Sequence, residues 1–146
     1  MMEKKRLREM TWEDYGISRH RYEELRAFCL QYEEKRREIA KSETGFHYRK
    51  AVSRTGTEDP AKRAALRRRR YQRDLEMVEE AARAACPEID AYMIKSVTRD
   101  LSYPFLEYDL ELGRIPMGKT DFYARRKLFY YFLDRLKSGD KIDLLP

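Results

Sequence analysis

The chain is poor in the residues that interrupt helices, with only 6 glycines and 5 prolines among 146 residues. That is too little punctuation for a many-turned β-sandwich. Cysteine and histidine are scarcer still: Cys29 and Cys86 belong to no CxxC or Cys/His cluster, and His20 and His47 lie far apart. A zinc site and a disulfide framework are not expected, and both cysteines read as reduced core residues. No apolar run approaches the length of a membrane span. The opening MMEKKRLREM is charged with nothing apolar behind it. It resembles neither a secretory signal nor an anchor, so the expected place of the protein is the cytoplasm.

Catalytic patterns are missing as well. There is no GxGxxG, P-loop or GxSxG, and the serines have no partner set of His and Asp. Adjacent carboxylates such as Glu23–Glu24, Glu33–Glu34 and Glu79–Glu80 are frequent, yet neighbours on a helix diverge by about 100° and cannot converge as an acid/base dyad. The expectation is a protein that is not an enzyme, holds no cofactor or metal, and acts by binding another macromolecule.

What the chain has in abundance is charge and aromatic surface. Charged residues make up 40% and apolar ones 42%, including 11 Tyr and 6 Phe. These proportions suit long solvated helices around an aromatic core. The balance of 32 Lys and Arg against 26 Asp and Glu leaves a net charge of +6, which is compatible with a polyanion partner. Cations gather in the opening residues, in Arg67 to Arg70, and from Lys119 to Lys127. Four successive arginines spread around a helix, so the run at 67–70 reads as a solvated face whose cations pair with glutamates of the first helix.

The periodicity predicts an all-α fold. Ser18 caps a first helix over about 18–42, whose seam holds Tyr22, Leu25, Cys29, Tyr32 and Ile39. A loop follows. Asp59 and Pro60 open a second helix reaching about Ala85, with Tyr71, Leu75, Val78, Ala82 and Ala85 on one stripe. The two form a long antiparallel hairpin, and the division predicted is 1–86 for this hairpin and 87–146 for a C-terminal domain. In the latter, helices are expected over about 88–101, 103–112 (ended by Gly113) and 120–137. Trp12, with Tyr15 and Ile17, is expected to pack as a staple before the first helix.

The linker GRIPMG bends the chain ahead of the last helix, giving a helix-turn-helix-like unit. On that helix Phe122, Phe129, Leu133 and Leu136 form an inward arc, leaving Thr120, Tyr123, Lys127, Tyr130 and Tyr131 on the opposite one. A groove-reading helix carries short polar residues early and cations beside them. The candidate DNA-binding residues are therefore Lys119, Thr120, Asp121, Tyr123, Arg125, Arg126 and Lys127.

The segment from Leu101 to Leu136, with Ile115-Pro116, Gly118, Phe122-Tyr123, Arg125-Arg126 and Phe129 as its sharp part, resembles small proteins encoded in prophages of Gram-positive bacteria. Together with the segment from Tyr15 to Ile39, it is similar to phage transcriptional regulators of the ArpU and RinA type, whose C-terminal part resembles the DNA-binding region of sigma factors. The aromatic run KLFYYF departs from that pattern. The resemblance implies a duplex DNA partner in a bacterial host cell and a role in transcriptional control, with the hairpin seam offering a surface for a homodimer. The rival expectations are a phage factor that docks on a host enzyme and inhibits it, as an anti-CRISPR does, and a small packaging (terminase) subunit; RNA polymerase or another host protein is the alternative partner.

Overall fold

The structure, a computed structural model, describes residues 5–43 and 59–140, apart from the side chain of Glu43. The expected connecting loop, His47 and the tail beyond Asp140 lie outside the described residues. The chain is mostly helical, with α1 at Arg19–Leu30, α2 at Tyr32–Glu43, α3 at Pro60–Ala85, α4 at Asp90–Arg99, α5 at Tyr103–Leu106 and α6 at Lys119–Lys137. A small antiparallel hairpin, β1 at Tyr108–Asp109 and β2 at Gly113–Arg114, stands between α5 and α6. The start signals act as their chemistry requires. The Ser18 hydroxyl accepts from the Arg21 N–H at 3.1 Å, and the Asp59 carboxylate accepts from the Ala61 N–H at 3.0 Å.

The chain divides into two compact units, Met1–Leu30 with Met77–Pro146, and Gln31–Glu76. This division differs from the expected one at residue 86, and the first helix shows why. On a straight helix Leu25 and Cys29 would point about 80° away from Lys35 and Ile39. The buried stripe is therefore not a single seam, and the predicted helix over 18–42 is two helices separated at Gln31. The hairpin is made by α2 and the first part of α3. There Lys35 pairs with Asp74 at 3.0 Å, whereas Glu38 and Ser42 border Ala64, Arg67 and Tyr71, an antiparallel order. Ile39 and Leu75 are buried in this smaller unit.

The larger unit is organised by α6. Phe122 and Phe129 are its largest fully buried side chains, and Leu25, Ile89, Met93, Leu106 and Leu133 are buried as completely. Aromatic rings extend this core outward. Tyr22 lies 5.1 Å from Tyr130, Tyr15 lies 5.1 Å from Tyr131, and Trp12 lies 4.9 Å from Tyr22. Burial pushes the Tyr130 phenol far above its ordinary range, with the neighbouring Cys29 and Tyr22 adding to the effect.

The helix expected over 103–112 stops at Leu106. Asp109 explains this, since its carboxylate accepts from the N–H groups of Glu111 (2.9 Å) and Leu112 (3.0 Å) and so folds the chain into a turn. Tyr92 fastens the far side by donating to the carbonyls of Leu112 and Gly113 at 2.7 and 2.8 Å. Gly113, expected to end a helix, sits instead in the hairpin at φ 81°, a conformation that glycine adopts without strain.

Asp109 also receives the Lys95 ammonium at 2.7 Å. That bond first, then the Leu112 and Glu111 amides, hold its carboxyl at about 2 against the opposing effect of burial. The folded value lies below the unfolded one of about 3.9, so this group stabilises the fold above about pH 4 and ceases to as pH falls toward 2. Urea unfolding at a series of pH values should show the native chain losing stability over that window more steeply than Asp109→Asn. A difference between the two that does not vary with pH would contradict this.

Candidate nucleic-acid interface

The expected DNA-binding set lies on α6 and its entry, and its members are placed very unequally. Lys119 and Thr120 are exposed. Asp121 is half-buried and pairs with Arg8 at 2.9 Å. The other four reach inward or sideways to backbone and rings of the same unit. The Tyr123 hydroxyl accepts from the Tyr103 N–H at 3.0 Å, at the start of α5. Arg125 donates to the Ala85 carbonyl at 3.0 Å, where α3 ends. Arg126 donates to Ser96 of α4 at 3.3 Å and stacks 5.0 Å from the Tyr123 ring. Lys127 donates to the Met10 carbonyl at 3.1 Å and lies 5.6 Å from the Trp12 ring.

Each of these side chains ties a different segment to α6: the N-terminal segment, the end of α3, α4 and α5. The predicted outward arc fails for Tyr130 and Tyr131, both buried. Leu128 to Leu133 are six consecutive large apolar residues, and so long a run encircles a helix.

Free positive charge lies elsewhere. The unit Gln31–Glu76 contains 14 Lys and Arg against 8 Asp and Glu, whereas the remainder of the chain contains 18 of each. The entire net charge of +6 therefore belongs to the smaller unit. Within it, Lys62, Leu66, Arg69, Arg70 and Arg73 are exposed on α3. Their spacing of 4, 7, 8 and 11 residues from Lys62 puts them inside an arc of about 100°, along about 16 Å of helix. The opposite side of α3 carries Tyr71 and the buried Leu75.

The expectation that the arginine run pairs with glutamates of the first helix is not met. Among the described residues, Lys62, Arg67, Arg68, Arg69, Arg70 and Arg73 form no ion pair. Arg67 and Arg68 leave the helix on other sides, as four successive positions must. A shallow groove of about 300 Å³ runs beside Arg69 and Arg73, with Ile39, Gln72 and Glu76 on its walls. The sequence carried this signal in the spacing of Lys62, Arg69, Arg70 and Arg73, not in the run of four.

Among the described residues no three His, Cys, Asp or Glu side chains gather as metal ligands, and no helix is long and apolar enough to cross a membrane. No protein-family model matches the chain, and no curated protein or solved structure is similar to it.

The ties made by α6 have a measurable consequence. Lys127→Ala removes a charge-assisted hydrogen bond and a contact with the Trp12 ring, and should cost about 1–2 kcal/mol of stability. Thermal unfolding would register this as a Tm several degrees lower. A Tm equal to that of the unaltered protein would mean that Lys127 is a solvated cation after all.

Proposed function

We propose that this is a duplex DNA-binding protein of the phage-regulator kind, and that α3 supplies its principal phosphate contacts. The observation that carries the reading is the concentration of the whole net charge in one unit, with a row of cations on one helix face that form no ion pair with a carboxylate among the described residues. Cations paired with internal carboxylates release few counterions from DNA. Unpaired ones release about one per phosphate, which is the main source of affinity.

The shape of the surface favours duplex DNA among polyanions. An α-helix about 16 Å long fits along or into the major groove of B-DNA. The corresponding groove of double-stranded RNA is too deep and narrow for protein side chains to read. Leu66, exposed at the centre of the cationic face, offers apolar contact of the kind made to sugars and thymine methyls.

The expected set on α6 contributes less under this reading. Lys119 and Thr120 are accessible at its amino end and are the two members available for sequence-dependent contact. Arg125, Arg126 and Lys127 act chiefly as internal ties.

Fluorescence anisotropy with a 25-base-pair random duplex across a salt series tests the proposal. The triple change Arg69→Ala, Arg70→Ala, Arg73→Ala should lower affinity at least tenfold near 100 mM salt and flatten the logarithmic salt slope by about 2–3. These residues are exposed, so the circular dichroism should not change. Equal affinity of the triple variant and the native chain would refute the assignment.

A further inference from the structure

The larger unit displays a second surface that the DNA-binding reading does not use. Phe105 is 73% exposed, Tyr108 is 68% exposed, Leu110 is fully exposed at the hairpin tip, and Leu112 is also exposed. Four large apolar side chains within eight residues are more than scattered surface hydrophobes. Their placement follows from local geometry. Phe105, in the only turn of α5, and Tyr108, at the start of β1, are three residues apart. Tyr108 pairs across the hairpin with Arg114, and Asp109 with Gly113. Since Asp109 bonds to Lys95 of α4, the alternating pleat turns Tyr108 away from the protein.

The hairpin is rigidly held. The Tyr92 hydroxyl, the Asp109 carboxylate and the bond from the Ile115 N–H to the Glu107 carbonyl at 3.0 Å fix its base and its turn. A fixed apolar surface loses little conformational freedom on association.

We propose that this hairpin face, built from Phe105, Tyr108, Leu110 and Leu112, is the dimerisation surface of the protein and is covered by the same face of a second copy. Two observations select a second copy as the occupant. The first is area. At their observed exposures the four side chains present about 500 Å² of apolar surface. A two-fold pairing therefore buries about 1,000 Å² before any polar rim is counted, which reaches the lower bound for a specific interface. The second is charge. The apolar group is bordered by both signs: Glu111, 3.6 Å from Lys95, and Arg114, whose guanidinium lies 5.7 Å from the Tyr108 ring, are both exposed. A two-fold axis brings Arg114 of one copy toward Glu111 of the other, as a self-complementary face requires.

The helical seam expected to hold a dimer is unavailable for one, because Leu25, Cys29 and Ile39 are already buried within their own units. The hairpin proposal is independent of DNA binding. A dimer would form whether or not α3 contacts phosphate.

Sedimentation equilibrium of the full chain from 1 to 200 µM, without nucleic acid, tests it. The native protein should show a monomer–dimer equilibrium. Leu110→Asp and Phe105→Asp, made separately, should each weaken it at least tenfold while leaving the circular dichroism unchanged. Leu110 touches nothing that the fold needs, so its variant guards against loss through misfolding. A native chain that stays monomeric at 200 µM overturns the proposal, and so does a dimer that survives in both variants.

Discussion

Six consecutive large side chains, Leu128 to Leu133, cannot share one face of a helix, so a chain containing them must surround that helix on every side. The architecture of the larger unit follows from this. The N-terminal segment with Trp12 and Tyr15, α1 with Tyr22 and Leu25, α4 with Met93, and α5 with Tyr103 and Leu106 supply the covering layers. Where the apolar surface of α6 ends, its polar side chains reach the same segments. Tyr123, Arg125, Arg126 and Lys127 meet main-chain groups or a buried serine, satisfying polar atoms that would otherwise be costly near a core.

The same constraint divides the functions of the positive charge. Arg125, Arg126 and Lys127 of α6 are consumed in holding the unit together, and that unit has equal numbers of acidic and basic residues. The smaller unit has little core to build: among its described residues Ile39 and Leu75 are buried, and Lys35 joins α2 to α3 through Asp74 at 3.0 Å. Most of its arginines are left facing water. A face of that kind raises the local concentration of a polyanion and is weakened by salt, so its strength depends on conditions in a way that the α6 contacts do not.

Much of this was legible in the residues. The scarcity of glycine and proline, the Ser18 and Asp59 caps, and the apolar period of the second helix correctly gave a helical chain with a hairpin. The hairpin strands were missed because an aspartate can draw neighbouring amides into a turn more favourably than into a helix, and periodicity does not report that competition. The outward arc of α6 was misjudged for a different reason. The arc rule assigns Tyr130 and Tyr131 to a solvent face, yet the aromatic run itself was the sign that α6 has no such face. For α3, the run of arginines distracted from the wider spacing that aligns Lys62, Arg69, Arg70 and Arg73.

The central claim is that α6 is an interior helix and that the cations of α3 meet the ligand. Amide hydrogen exchange, followed with and without duplex DNA at low salt, tests it most directly. In the free protein the amides of residues 122–133 should be the slowest to exchange, because only global unfolding opens them. Adding DNA should slow exchange across residues 60–76 and leave 122–133 unchanged. Fast exchange in α6 of the free protein, or DNA-dependent protection confined to residues 119–127, would contradict the account and return the interface to α6.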